Sequence, residues 1–349
     1  MDQTKLDDFL ATVVADLAST SSAALVRIGD RLGLYRAMAG AGPLTAAELA
    51  GRTGTAPRYV QEWLNNQAAG GYVHYDSGSE RYELPEEHAT VLADEASPAL
   101  MLGGFDLVAT YFADEEKFVD AFRTGSGVGW HEHDPRLYPA CERFFRPLYR
   151  GSLLQSWIPA LDGVHDRLTD GIEVADVGCG YGTSTVEMAL AYPRSRFTGF
   201  DYHDVSIAAA RKAAADAGVA ERVRFEIASA AQFPGDYDLV CHFDSLHDMG
   251  DPVAAAAHVR QALSDGGTWL LVEPMAGDST AANMHLIGRI YYAGSALLCT
   301  PSALAQGGPL ALGNQVGEAR WRELLGEAGF GHVRRAASTP FNLILEVRP

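Results

Sequence analysis

The sequence is poor in cysteine and in basic side chains. Its four cysteines, Cys141, Cys179, Cys241 and Cys299, lie far apart and form no C-x-x-C pair. This spacing excludes a zinc-finger pattern and a disulfide framework, and it predicts free thiols in a reducing compartment. The 27 basic and 45 acidic side chains give a net charge of −18, so the protein as a whole repels phosphate backbones and anionic membranes. We therefore expect neither a nucleic-acid partner nor a membrane partner.

Long unbroken apolar runs are also missing. No stretch approaches eighteen consecutive apolar residues, and residues 1–17 are acidic and amphipathic, unlike a basic segment followed by an apolar run. A cytoplasmic location is the expectation. The length of 349 residues suits two domains, and an apolar fraction of 47% is enough to bury a core.

The first hundred residues alternate helix patterns with turn signals. An opening helix is followed by a second helix pattern over residues 24–38, and Thr45 with Glu48 forms a capping box that starts a third. Residues 57–69 carry an apolar helical stripe, and "GYVHYDSGSERYELP" has two short β-rich runs joined by a turn. This order predicts a winged helix-turn-helix domain over residues 1–105.

A winged helix can read DNA, but the charges here do not favour it. Residues 1–100 hold seven basic and fourteen acidic side chains, and the would-be recognition helix offers Arg58 as its only base-reading cation. The wing tip, "DSGSE", is acidic where a phosphate contact would need lysine. The domain is therefore predicted to serve dimerisation or to line a substrate pocket. A transcriptional regulator is kept as an alternative.

The rest of the chain changes from helices to alternating strands and helices. Residues 106–165 are predicted to be a helical linker that lines the pocket, although helix-spaced aromatics are also typical of a core. Residues 166–349 are predicted to form an α/β domain with a doubly wound, mostly parallel sheet and a C-terminal antiparallel hairpin. Its strand-like runs are "IEVADVG", "RFTGFD", "VRFEIAS", "YDLVCHFD", "GTWLLVEP" and "NLILEVR". The glycine-rich region at about 275–316 is predicted to be a lid.

The first strand of this domain leads into "VADVGCGYGTST", with an acid, Asp176, and glycines at 178, 180 and 182. Glycines let the backbone turn tightly and approach a ligand, whose negative group then lies at the N-terminus of the next helix. A dinucleotide fingerprint would need glycine at 183, where Thr183 stands, so the pattern does not favour NAD. The second strand ends at Asp201, which can accept hydrogen bonds from ribose hydroxyls.

Together these motifs resemble the class I S-adenosylmethionine-dependent methyltransferases over about residues 172–349. The resemblance implies S-adenosyl-L-methionine as cofactor, with the glycine loop around its methionine part. The implied cofactor-binding residues are Asp176, Gly178, Gly180, Gly182, Asp201 on the ribose, Tyr202 beside the adenine, Ser229 and Ala230 near the adenine edge, Phe243 and Tyr149.

With a winged helix in front, the chain is also similar to small-molecule O-methyltransferases of the plant-caffeate and bacterial-polyketide type. It looks more similar still to a bacterial branch with "GNQ" before the last helix, here residues 313–315. This likeness implies a homodimer through the N-terminal domain and a small, aromatic or lipophilic methyl acceptor. Phe145, His285 and Gln315 are the predicted substrate-pocket residues.

The stretch "FDSLHDMGDP" follows the fourth strand, at the sheet edge where doubly wound folds place ligands. An imidazole with a pKa near ~6.5 is suited to deprotonating a phenol or an enol at neutral pH. In the family resembled, a histidine base lies at the position of His247 and is oriented by an acid at that of Glu273. Asp248 completes the predicted catalytic set, and Gln315 or Glu318 stands where the family has a second acid. Asp251 is predicted to cap the helix that starts at Pro252.

Two other interpretations of His247 stay open. It can have a purely structural role. It can also join His285 as a ligand of iron or another transition metal, which a 2-oxo acid would chelate for methylation on carbon. No metal is the main expectation.

Overall fold

The computed structural model describes all 349 residues, which form two compact units. The first comprises residues 1–109 and 143–147, and the second comprises residues 110–142 and 148–349. The predicted domain boundaries at residues 105 and 165 stay a prediction.

The N-terminal part of the chain forms six helices and one antiparallel hairpin. These are α1 (Gln3–Arg31), α2 (Leu34–Met38), α3 (Ala46–Thr53), α4 (Pro57–Ala69), β1 (His74–Asp76), β2 (Arg81–Glu83), α5 (Glu86–Leu92) and α6 (Leu102–Ala113). The capping box is present, since Thr45 accepts from the Glu48 N–H and the Glu48 carboxylate accepts from the Thr45 N–H. The predicted winged helix is confirmed.

One predicted boundary in this region is wrong. The sequence suggests two separate helices before residue 38, but α1 continues without a break for 29 residues and ends at Arg31. Residues that we assigned to a second helix, such as Val26, lie on the buried face of α1 instead. The chain turns at Gly33, which has φ of 70°, and only then begins α2.

The core of the first unit is built around Trp63 on α4. Its indole N–H donates to the Leu25 carbonyl at 2.8 Å, and its ring meets that of Tyr35 edge-on at a centroid distance of 5.0 Å. Arg143 ties residues 143–147 to this unit through ion pairs with Asp30 and Asp106.

Helix α1 leaves an apolar stripe exposed. Six large apolar side chains recur every three or four residues on one face: Leu6, Phe9, Leu10, Val13, Val14 and Leu17. By length and composition α1 is also the one helix that could cross a membrane, and little of its apolar stretch is buried. A core helix and a leader segment meet the same criteria.

The second unit is a seven-stranded sheet with helices on both faces. Its strand order is β5-β4-β3-β6-β7-β9-β8; the first five are parallel, and β9 and β8 run antiparallel at one edge. The strands are β3 (Glu173–Val177), β4 (Arg196–Asp201), β5 (Val223–Ile227), β6 (Tyr237–Phe243), β7 (Leu263–Pro274), β8 (His332–Ser338) and β9 (Asn342–Arg348). The predicted doubly wound sheet with a C-terminal hairpin is confirmed.

Nine helices accompany the sheet or connect to it. They are α7 (Glu115–Thr124), α8 (Leu137–Leu148), α9 (Val164–Asp170), α10 (Thr183–Ala191), α11 (Asp204–Asp216), α12 (Pro252–Ala262), α13 (Leu286–Gly294), α14 (Thr300–Ala305) and α15 (Glu318–Glu327). Two π-helical segments, Tyr149–Trp157 and Ser295–Cys299, extend α8 and α13. The predicted lid, about 275–316, therefore contains α13 and α14.

The close approach of α1 to α4 gives a test of the first unit. A methyl group on Gly29 would lie 2.5 Å from the Trp63 ring, so Gly29→Ala should lower the free energy of unfolding by about 1 to 3 kcal/mol through overpacking. Gly51→Ala, on the exposed side of α3 with open space around it, should raise it by up to about 1 kcal/mol. Urea denaturation of both variants measures the two changes. Equal effects of both substitutions would contradict this packing.

Candidate active site

The glycine loop, residues 178–183, joins the carboxyl end of β3 to α10. Gly178 donates its N–H to the Phe200 carbonyl at 2.8 Å, and Gly180 donates its N–H to Asp201 Oδ2 at 3.0 Å. The ends of β3 and β4 are thereby tied together. Asp201 also accepts from the His203 N–H at 2.9 Å, so its carboxylate lies between the glycine loop and the start of α11.

Gly180 leaves room above this loop. Its φ is +50°, and a Cβ built there would have no atom within 4 Å, whereas one on Gly182 would lie 2.5 Å from the Phe225 ring. Gly182 is therefore required by packing, while the space beside Gly180 is open for a ligand. The N–H groups that begin α10 suit a carboxylate, which is the group that the methionine part of the cofactor carries.

Asp176 lies behind the loop and not in it. It is 1% exposed, and its Oδ2 accepts from the hydroxyls of Ser184 and Thr185 at 2.6 Å each. Burial outweighs these two donors and raises the pKa of Asp176 to about 6. Its contacts are those of an anchor for the first turn of α10.

The other predicted cofactor residues lie along the same edge of the sheet. Tyr202 is exposed directly after β4, and Ser229 and Ala230 follow β5, where the Ala228 N–H donates to the Asp201 carbonyl. Phe243 ends β6 and is nearly buried. Its ring lies 5.6 Å from that of Tyr149 and 6.1 Å from that of Trp157. These three rings form an aromatic cluster in which Phe243 and Trp157 are buried and Tyr149 is half-buried.

His247 follows β6 and is 3% exposed. Its Nδ1 lies 2.5 Å from Glu273 Oε2, and the other oxygen of Glu273 accepts from the Leu246 N–H at 3.1 Å. Glu273 lies on β7 and is fully buried. Its contact with His247 brings together two of the three predicted catalytic residues.

Asp248 approaches the opposite side of the ring, with Oδ1 at 3.1 Å from His247 Nε2. Burial lowers the pKa of His247, but the charges of Asp248 and Glu273 together outweigh it and hold this pKa well above its usual range. The pKa of His247 in this arrangement therefore lies above the unperturbed value near ~6.5 of an isolated imidazole. An imidazole between two carboxylates favours its protonated form.

Cys299, which the sequence interpretation missed, belongs to the same cluster. Its Sγ, a ring nitrogen of His247 and an oxygen of Asp248 all lie within 4.8 Å of one another. A nitrogen, a carboxylate oxygen and a sulfur are a donor set that suits a transition metal. Cys299 lies 52 positions from His247 along the chain, and no spacing pattern links the two.

His285 does not share this arrangement. It is exposed, and its Nδ1 accepts from the Gly288 N–H at 3.0 Å, which makes it the N-cap of α13. The predicted pairing of His247 with His285 is therefore not seen. Gln315 is half-buried and donates to the Asn314 carbonyl, and Phe145 belongs to the first unit.

The predicted lid braces the loop that carries His247. Gln306, after α14, donates to the Asp248 carbonyl at 2.8 Å and accepts from the Gly250 N–H at 3.2 Å. Asp251 accepts from the Ala254 N–H at 2.9 Å and caps α12, as predicted. The position of His247 is thus fixed from β7 on one side and from the lid on the other.

Comparison with known proteins gives two domain matches. Residues 20–94 match an Rv2258c-like winged helix-turn-helix domain, and residues 168–329 match a methyltransferase domain. The fold, the glycine loop and these matches define the class: the chain has a methyltransferase domain behind an N-terminal winged-helix domain.

Individual relatives agree with this class. Mouse acetylserotonin O-methyltransferase is 28% identical over 335 residues, which is 88% of this chain and 80% of the relative. Human N-acetylserotonin methyltransferase, solved in complex with SAM, has a TM-score of 0.69 at 18% identity and covers 100% of this chain and 98% of its own. The ubiquinone biosynthesis O-methyltransferase of Leptothrix cholodnii is 28% identical over 154 residues, or 43% of this chain. That match spans 63% of the relative, under two thirds of its length.

The open space at Gly180 gives a test of the cofactor site. Gly180→Ala should weaken binding of S-adenosylhomocysteine by about tenfold or more, because a methyl group would enter the space beside the loop. Gly218→Ala is the matched control, since Gly218 also has positive φ and no neighbour within 4 Å, but it follows α11. Both variants should lose similar stability, about 1 kcal/mol, by thermal unfolding. Equal S-adenosylhomocysteine affinity in both, measured by isothermal titration calorimetry, would contradict the assignment.

Proposed function

We propose that this protein transfers a methyl group from S-adenosylmethionine to an oxygen atom of a small acceptor. The observation that carries the proposal is the buried His247–Glu273 pair. His247 follows β6 and Glu273 lies at the end of β7, at the sheet edge that also holds the glycine loop. The similarity to acetylserotonin O-methyltransferase over most of both chains supports methylation on oxygen.

The glycine loop and Asp201 would hold the cofactor. Asp201 is already fixed by the N–H groups of Gly180 and His203, so its carboxylate is oriented before any ligand arrives. When bound, S-adenosylmethionine supplies an electrophilic methyl group on a sulfonium. The protein's own task is then to align the acceptor and remove its proton.

In this proposal His247 takes the acceptor proton at Nε2. Glu273 accepts a hydrogen bond from the Nδ1–H group, and this bond fixes the orientation and the tautomer of the ring. Because the resting imidazole favours its protonated form, it acts as a base only after its Nε2 proton has passed to solvent. Asp248 and Glu273 then stabilise the imidazolium that proton transfer produces.

Tyr149, the one half-buried ring of this aromatic cluster, favours an aromatic or lipophilic acceptor. Aromatic side chains provide large apolar contact area for a planar ligand. The acceptor we propose is therefore a phenol or a similar hydroxylated ring.

A metal-assisted reaction on carbon is the second candidate. It is favoured by one observation, the approach of His247, Asp248 and Cys299 to within 4.8 Å. If these three atoms hold a metal, Nε2 is no longer available as a base. The two candidates thus make opposite use of the same nitrogen.

The base proposal predicts the effect of two amide substitutions. His247→Gln and Glu273→Gln should each lower kcat/KM for a panel of neutral phenols and hydroxyquinones by about 10²- to 10⁴-fold, because each removes part of the proton-accepting pair. Binding of S-adenosylhomocysteine should not change. His332→Gln, at an exposed position on β8, is the control and should retain full activity.

Cys299→Ala separates the two candidates in the same assay. Retained activity, with no metal measured by mass spectrometry after purification without chelators, supports the base. The metal-assisted reaction would be established by two results together. Cys299→Ala would lose both a stoichiometric metal and activity, and ferrous ion would restore activity to native protein that had been treated with a chelator.

We also propose that the protein is a cytoplasmic homodimer in which two copies of α1 cover each other's apolar stripe. The stripe from Leu6 to Leu17 has the spacing of helix-packing faces, and an exposed face of this kind normally marks an interface. The four cysteines are unpaired, which fits a reducing compartment.

The dimer proposal predicts a change in oligomeric state. Leu10→Glu should convert a particle of twice 37.4 kDa into a monomer in light scattering, because it places a charge within the apolar stripe. Ala15→Glu, exposed on the opposite side of α1, should leave the dimer intact. A native protein that is monomeric and floats with lipid vesicles would contradict the dimer and assign the stripe to a membrane.

A further inference from the structure

A carboxylate from outside the sheet lies against the glycine loop. Glu142 is on α8, and its Oε1 accepts a hydrogen bond from the Thr183 hydroxyl at 3.1 Å. Thr183 ends the glycine loop and is the first residue of α10. The side chain that stands where a dinucleotide fingerprint would need glycine therefore connects the loop to an acid 41 positions earlier in the chain.

A second contact fixes this part of the chain along α10. Arg150, in the π-helical extension of α8, donates from Nε to Glu187 Oε1 at 2.8 Å. Glu187 follows Thr183 by one helical turn and lies on the same face of α10. Because both contacts belong to the second unit and lie one turn apart, together they hold Glu142 at the start of α10.

Two acids lie at the start of α10, and they differ in accessibility. Asp176 is 1% exposed and accepts from the hydroxyls of Ser184 and Thr185, so it anchors the helix from inside the core. Glu142 is half-buried, and so a ligand at the loop can reach it. Of these two acids, Glu142 is therefore the one that can contact a bound molecule.

The amino-acid part of S-adenosylmethionine brings two opposite charges to this place. Its carboxylate suits the N–H groups that begin α10. Its ammonium group is bonded to the same carbon atom and needs an acceptor, because a charged group that leaves water is costly unless it is paired and hydrogen-bonded. Backbone N–H groups cannot accept a hydrogen bond, whereas a carboxylate beside them accepts a strong one. The open space beside Gly180 leaves room for such a ligand.

We propose that Glu142 binds the ammonium group of the cofactor and that the Thr183 hydroxyl positions the Glu142 carboxylate for this contact. This inference rests on the proposed function and adds a specificity-determining residue to its cofactor site. The start of α10 and Glu142 together would recognise both charges of the amino-acid part. The protein should therefore discriminate against adenosine derivatives that lack the amino group.

The test compares S-adenosylhomocysteine with its deamino analogue, which keeps the carboxylate but has hydrogen in place of the amino group. Isothermal titration calorimetry measures the binding of each to the full-length protein. The native protein should bind S-adenosylhomocysteine about tenfold or more tightly than the analogue, because only the former makes the charged hydrogen bond. In Glu142→Gln this preference should fall by about fivefold or more. Equal affinities in the native protein, or an unchanged preference in Glu142→Gln, would overturn the proposal.

Two further variants separate recognition from a structural role. Glu187→Gln removes the other carboxylate in the contacts between α8, its extension and α10, and it should keep the native preference. Thr183→Ala removes the hydrogen bond that positions Glu142 and should lower the preference by about twofold to threefold. If Glu142→Gln instead weakens both ligands equally, its carboxylate serves the fold of the loop and the proposal is wrong. A native protein that binds neither ligand would refute the methyltransferase proposal itself, a result distinct from binding without preference.

Discussion

The contact between the His247 imidazole and the Glu273 carboxylate is the constraint on which the site depends. Glu273 is fully buried, and a buried carboxylate is costly unless it is paired and hydrogen-bonded. Both of its oxygens are used, one by the imidazole and one by the Leu246 N–H. The loop after β6 is therefore held to β7 at the residue that we propose as the base.

The sheet topology converts this local contact into a site. Strand β3 lies beside β6, and β6 lies beside β7, so the glycine loop and His247, which follow β3 and β6, meet Glu273 at the end of β7. Ligands of doubly wound folds bind at the carboxyl ends of such strands. The same arrangement gives the pair a neighbour on each side: the glycine loop, and the segment at about 275–316, whose Gln306 donates to the Asp248 carbonyl.

Much of this could be predicted because it depends on short stretches of sequence. The strand "RFTGFD" occupies residues 196–201 as expected, since a short apolar run between turn signals defines a buried parallel strand. The glycine loop and its distance from Asp201 follow from local motifs. The length of α1 does not follow from local motifs, because its buried residues contact Trp63 on α4, more than thirty positions later in the chain.

The chemical details of the site also depend on distant parts of the chain. Cys299 reaches His247 from the lid, and Asn342 reaches Asp244 from β9, almost one hundred positions away. The charges of Asp248 and Glu273 raise the pKa of His247. Sequence spacing does not reveal that the Asp248 side chain faces Nε2. Neighbouring charges thus set the protonation of His247, and a motif alone could not predict it.

The central claim is that His247, held by Glu273, removes a proton from an oxygen atom that then receives the methyl group. The most direct measurement incubates the protein with S-adenosylmethionine labelled with ¹³C in its methyl group and a panel of neutral phenols, and then records carbon NMR spectra of the products. We predict a ¹³C methyl signal typical of a methyl ether, absent in His247→Gln. A methyl group bound to carbon, or equal ether formation by His247→Gln, would contradict the account.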